Sequence, residues 1–229
     1  MIGAWNDLLY SIICRNQQQI LCGIRKKEDV EEYDWIIRTV RQQPWPWDFE
    51  GRYRRFWRMR GVAESFYPPY FEALKTAGSQ VPSVGHLCKE LLAVSTRKKK
   101  KSQETCQTLQ FSYPTKLCHT ANPKLPIYDT NVAQFYLFQE PSTRFPQPMR
   151  IKAYLEFYEF LRGEYARVLK NDLLRPAIDC FKQKFNPKQH SDEKIVDWLI
   201  WAFIVWVDSG ALLNGPNALC VGSDDPQRL

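Results

Sequence analysis

Apolar residues recur along most of the chain at the spacing of one face of an α-helix. Residues 4–21 carry Leu8, Leu9, Ile12, Ile13 and Ile20 in this pattern, which fits a 3.6-residue turn and not the two-residue period of a strand. Glu28 to Arg41 repeats it through Val30, Tyr33, Ile36, Ile37 and Val40. Pro44-Trp45-Pro46-Trp47 then interrupts regular structure, since proline fixes φ and brings no N–H. Arg52 to Arg60 predicts another helix, ended near Gly61 or continued towards Phe66, and a short one follows Pro68-Pro69 from Tyr70 to Thr76. Val84 to Val94 is a helix with Pro82-Ser83 as its cap.

The second half reads the same way. The basic run Arg97 to Lys101 is a solvated loop, and Glu104 to Leu109 is one short helix. Pro114 suits the first turn of the next helix, which Asn122-Pro123 stops. Leu125-Pro126-Ile127-Tyr128 is extended, and Asp129 or Thr130 caps a helix through Leu137. After the connector Pro141 to Pro148, an amphipathic helix from Ile151 to Asn171 places Tyr154, Leu155, Tyr158, Leu161, Tyr165 and Leu169 on one side. Two more helices cover roughly 173–184 and 192–208. No internal repeat and no run of alternating strands appears. The expectation is an all-α protein, a compact bundle of about 8–10 helices forming one domain over residues 1–229, or two helical lobes, with a hairpin-like module at about 103–140.

Composition supports a folded chain: 44% of the 229 residues are hydrophobic and 14% aromatic, well above what disordered sequences carry. The net charge of +7 and pI near 9.0 suit a polyanionic partner. Seven cysteines, Cys14, Cys22, Cys88, Cys106, Cys118, Cys180 and Cys220, include no C-x-x-C pair and no compact group of four. They read as small core residues in a reducing compartment, without a zinc or iron–sulfur site. The apolar opening is interrupted by Asn6 and Asp7, unlike a secretory signal. The apolar stretch Trp198 to Val207, bounded by Asp197 and Asp208, is too short for a membrane span and reads as a buried helix. A cytoplasmic protein, nucleoid-associated if it binds DNA, is the resulting expectation.

One segment carries candidate chemistry: Phe111-Ser112-Tyr113-Pro114-Thr115-Lys116-Leu117-Cys118-His119, followed by Pro123-Lys124-Leu125-Pro126-Ile127-Tyr128-Asp129-Thr130-Asn131-Val132. The expected order is a short helix, a tight turn, a second helix with a lysine in its first turn, an extended Pro-x-Tyr-Asp step and a new helix. This resembles the central segment of the helix-hairpin-helix DNA glycosylase superfamily, over about thirty residues. The resemblance implies a hairpin that binds the phosphodiester backbone. It places Lys116 at the lysine position of the bifunctional members and Asp129 at the aspartate position. The equivalent of the family's glycine-containing hairpin turn, Leu109 to Thr115, has no glycine, and the interval from Lys116 to Asp129 is shorter than usual by roughly one helical turn.

The implied chemistry is consistent with those residue types. Cleaving an N-glycosidic bond builds positive charge on the sugar, which a carboxylate stabilises, and a lysine amine can attack the same carbon once it has lost its proton. The target base would be flipped into an apolar pocket, for which Trp57, Phe66, Tyr67 and His119 are candidates. Ser112, Tyr113 and Thr115 of the hairpin would contact DNA, as would Arg52, Arg54, Arg55, Arg58 and Arg60, whose guanidinium groups would fan outward from a helix with Tyr53, Phe56 and Trp57 turned inward. Lys98 and Lys99 extend the basic surface. Bland alternatives remain open at each position: Asp129 as a helix cap alone, Lys116 as a solvated lysine, His119 as a helix C-cap partner, the arginines as a solvated face. The aromatic stripe at 154–165 and the set Trp198, Trp201 and Trp206 are assigned to the core. The function expected is a DNA glycosylase-like base-excision protein, with or without lyase activity, needing no metal and no small-molecule cofactor. The alternative is a DNA-binding or protein-interaction module that keeps the fold without the chemistry.

Overall fold

The structure, a computed structural model, describes residues 2–77, 81–94, 96–98 and 105–210. Eleven α-helices are found among them: α1 (Ile2–Arg15), α2 (Gln17–Cys22), α3 (Glu32–Val40), α4 (Phe49–Phe56), α5 (Tyr67–Thr76), α6 (Val84–Val94), α7 (Ser112–Ala121), α8 (Thr130–Phe135), α9 (Gln147–Lys170), α10 (Arg175–Phe185) and α11 (Asp192–Asp208). The all-α expectation holds, with more and shorter helices than expected. The first periodic stretch is two helices, because the chain turns at Asn16, whose side-chain amide donates to the Ile12 carbonyl. A π-helical turn at Lys26–Glu31 precedes α3.

The stretch expected as a solvated loop and a short helix differs. Thr96–Lys98 (β1) and Thr105–Gln107 (β2) pair antiparallel, with Thr96 opposite Gln107 and Lys98 opposite Thr105. Residues 105–107 are therefore strand and not part of the helix expected over 104–109. α7 packs on α6 and α3, and the ladder of 96–98 with 105–107 lies between α6 and α7 in sequence, where a short helix and a tight turn were expected. β-Branched Thr96 and Thr105 favour such a ladder locally.

The core forms around α11, which packs on α8, α2, α10 and α9. Its sequence is apolar almost all round, as a central helix requires, and Ile195, Val196, Leu199 and Ile200 are fully buried. The stripe of α9 is also core, with Tyr158, Leu161, Tyr165 and Val168 buried. Aromatic side chains pack on one another through this core, as in the stacked pair Phe138–Phe157 at 4.1 Å. Among the described residues no helix is long and apolar enough to cross a membrane.

Candidate functional site

A cleft of about 620 Å³ opens between the end of α4, the start of α7, the step into α8 and one side of α11. Both residues singled out from the sequence line it. Lys116 sits in the second turn of α7, because Pro114 in the first turn starts that helix without a wasted N–H. Its amine donates to the Trp57 carbonyl at 3.0 Å and lies 5.9 Å from the Trp57 ring centre and 5.6 Å from that of Tyr113. Burial pulls the Lys116 amine down from 10.5 to about 8, since an ammonium loses hydration in the cleft wall. Asp129 pulls the other way; Lys194 and Arg58 add to the depression.

Asp129 is both cap and cleft residue. Its Oδ1 accepts from the Val132 N–H at 2.8 Å, closing the start of α8 as the sequence implied. Oδ2 has no hydrogen bond among the described residues. The peptide N–H of Tyr128 is held by Thr115 Oγ1 at 3.1 Å, so α7 fixes the extended step that delivers Asp129 to the cleft.

The walls are aromatic. Phe111, Tyr128 and Tyr154 form one cluster, with Phe111 stacked on Tyr154 at 4.9 Å. Trp57, Trp198 and Trp201 form the other wall. Arg58 stands at the mouth in a left-handed conformation, φ 49°. It ends α4 in a Schellman motif, with Met59 N bonded to Arg54 O and Arg58 N to Arg55 O. Its guanidinium lies 5.9 Å from the Trp201 ring. Glu140 and Arg150 complete the rim, Glu140 accepting from the Tyr128 hydroxyl at 2.6 Å. Three buried N–H groups of cleft residues, Trp57 Nε1, Trp198 Nε1 and Arg150 Nε, have no hydrogen-bond partner among the described residues.

No known family model, curated protein or solved structure matches the chain. Geometry alone bears on its chemistry.

Several sequence-based assignments change. His119 is not in the cleft: it is 1% exposed, with Nδ1 donating to the Leu125 carbonyl at 2.6 Å and Nε2 accepting from the Tyr33 hydroxyl at 2.7 Å. Burial holds it well below the usual histidine range. Phe66 and Tyr67 are buried one layer behind the site, Phe66 supporting the Tyr113 ring at 5.5 Å and Tyr67 bonding the Met59 carbonyl. Trp57 alone of the four pocket candidates lines the cleft.

Thr115 is fully buried and its hydroxyl donates to the Ser112 carbonyl, so it serves as an internal strut. Ser112 and Tyr113 line the cleft, the Tyr113 hydroxyl bonding the Arg60 carbonyl at 2.7 Å.

The arginines do not fan outward together. Arg52 makes a two-pronged ion pair with Glu32 and lies 3.5 Å over Trp35. Arg54 pairs with Glu64 and lies 3.5 Å over Tyr67. Intramolecular acids and rings thus take up two of the five, leaving Arg55, Arg58 and Arg60 exposed. Lys99 lies outside the described residues, and so does the side chain of Lys98.

The sequence reading missed the contribution of α11. Trp198 and Trp201, assigned to the core, line the cleft together with Lys194 and Asp197. The signal was present: positions 194, 197, 198 and 201 make one helical stripe in which two charges interrupt an apolar run. Among the described residues no group of three or more His, Cys, Asp or Glu side chains gathers as metal ligands would.

Proposed function

We propose that the chain is a DNA glycosylase-like base-excision enzyme of helix-hairpin-helix type, using Asp129 and Lys116 on a damaged or modified base. The observation that carries this reading is that both side chains, thirteen positions apart in sequence, meet in one aromatic-walled cleft, with the lysine amine brought to about 8 by burial. A lysine on a helix surface would keep its ordinary value and point to water.

The volume suits a nucleobase, being in the range of small-ligand pockets. A flipped base would stack on Trp57, Trp198 or the Phe111–Tyr154 pair. As the N-glycosidic bond breaks, the base departs with the bonding electrons, and the free Oδ2 edge of Asp129 faces the positive charge left on the sugar. The neutral Lys116 amine donates its lone pair to C1′ and loses a proton. Opening of the sugar ring then gives a Schiff base, the intermediate of strand cleavage. Arg58 supplies a phosphate contact at the cleft, and the exposed Arg55 and Arg60 of the same segment extend the basic surface.

One observation favours the second reading, a DNA-binding or protein-interaction module without chemistry. The glycine-free segment before α7 and the β-ladder ahead of it replace the tight turn whose free N–H groups would grip a phosphate. Borohydride trapping and strand cleavage on a panel of damaged and abasic duplexes separate the two. Product lost in Asp129→Asn, and a trapped adduct lost in Lys116→Gln, support the enzyme. Salt-sensitive binding without product on any substrate supports the module.

A further inference from the structure

The cleft contains a second lysine–aspartate pair to which the chemistry above gives no task. Lys194 and Asp197 lie one turn apart on α11, are 2% and 4% exposed, and make a 2.7 Å Nζ–Oδ2 bond. Burial pushes the Asp197 carboxyl above its ordinary range, against the pull of Lys194. Such a pair is a weak stabiliser, because desolvation offsets most of the Coulomb attraction and two apolar side chains would pack as well. Its position is specific, however. Lys194 Nζ lies 4.4 Å from the Trp198 ring centre, 5.3 Å from that of Tyr33 and 5.2 Å from that of Trp57. Lys116 Nζ lies 5.9 Å from the same Trp57 ring and is hydrogen-bonded to the same residue's carbonyl. Two amines therefore share one indole in a cleft wall where burial weakens screening, so like charges repel more strongly than they would in bulk water.

We propose that Lys194, anchored by Asp197, is a positioning residue for Lys116: its fixed positive charge in the cleft wall opposes a second one on the Lys116 amine and keeps that amine nucleophilic. This rests on the reading of Lys116 as the nucleophile. The groups facing Lys116 come from four places. Asp129, at the head of α8, and Asp197 favour the protonated amine; Lys194 and Arg58, which follows α4, oppose it. Tyr113, on α7 itself, is a phenol that burial keeps protonated above its usual range. Lys194 is the opposing charge built into the core, whereas Arg58 is exposed to screening by water and salt.

The test needs no DNA. Trace reductive methylation with formaldehyde and cyanoborohydride, followed by peptide mass spectrometry, gives the reactivity of Lys116 against pH. Wild type is expected to show a midpoint near 8. Lys194→Met raises that midpoint by about one pH unit, roughly tenfold less labelling at pH 7. Because this variant strands the Asp197 carboxylate, Lys194→Met/Asp197→Asn is measured beside it and also moves upward. Lys194→Arg restores the charge and the wild-type midpoint. A double variant that titrates like wild type, or an arginine variant displaced as far as methionine, overturns the proposal. Failure of DNA trapping with these shifts intact would fault the proposed enzyme activity and leave the electrostatic coupling standing.

Discussion

Two of the polar clusters set into this aromatic core are built differently. At the junction of α1, α8 and α9, Glu164 accepts from the Asn6 amide at 3.0 Å and the Tyr10 hydroxyl at 2.9 Å and is clamped by Arg167 through two bonds of 2.8 Å. The Tyr10 hydroxyl also meets that of Tyr136 at 2.8 Å. Arg167 reaches on to Asp7. This network is closed on itself. The cleft holds two lysines, three aspartates and three buried N–H groups that find no partner among the described residues. Buried polar groups left unsatisfied destabilise a fold, so their gathering in one concavity marks a surface shaped for something other than stability.

The closed network should respond to mutation as structure. Glu164→Ala leaves the Asn6 amide, the Tyr10 hydroxyl and Arg167 without their shared acceptor, and is expected to lower unfolding free energy by about 3–5 kcal/mol. Asp7→Ala, at the solvent end, should change it by less than about 1 kcal/mol. Denaturant titration of both variants tests the contrast; equal small effects would dissolve the distinction between the two clusters.

A smaller effect comes from acid. His190 donates from Nδ1 to Asp34 at 3.0 Å while its Nε2 is buried with no partner among the described residues, and burial lowers its proton affinity as it does that of His119. For a group whose folded value is depressed, the unfolded chain binds the proton first. This contribution is therefore complete above about pH 6.5, the unfolded histidine value, and shrinks as pH falls below it. Each unit below that point removes about 1.4 kcal/mol per histidine that stays neutral. Asp34 and Glu164, held below their ordinary carboxylate values, add their loss only below about pH 4. Urea midpoints at pH 7.5 and 5.5 check the histidine window. Midpoints that match at the two values would contradict it.

Another small expected stability change has the opposite sign. Arg58 occupies the left-handed position that ends α4, where glycine carries no steric strain. Arg58→Gly should raise stability by about 1 kcal/mol while weakening binding to an abasic duplex at low salt by loss of a phosphate contact. A variant that is more stable and binds DNA as wild type does would remove Arg58 from the proposed interface.

Helix periodicity made most of the fold legible. The stripe of α9, the Pro114 start of α7 and the Asp129 cap of α8 follow from local rules that depend on a few adjacent residues. What stayed hidden depends on tertiary partners. That Arg52 and Arg54 are spoken for by Glu32 and Glu64 requires knowing that segments 20 and 10 residues away fold against α4. His119 shares a helix with Lys116, yet three positions of rotation direct it to Tyr33 in the core and leave Lys116 at the cleft. Of the site, Lys116, Asp129 and Trp57 could be named from sequence. The Lys194–Asp197 side showed in the sequence only as two charges on one stripe of an apolar helix, and the neighbours of α11 are what turn that stripe into a cleft wall.

On the proposed reading, Lys116 and Asp129 act together on a DNA sugar. Borohydride trapping of the wild-type protein on abasic and damaged duplexes, beside Lys116→Gln and Asp129→Asn, decides whether they do. Asparagine caps a helix about as well as aspartate, so Asp129→Asn should melt within a few tenths of a kcal/mol of wild type while base release falls on the order of 100-fold or more. Lys116→Gln should form no adduct. An adduct that persists in Lys116→Gln, or base release unchanged in Asp129→Asn, would remove that residue from the proposed chemistry.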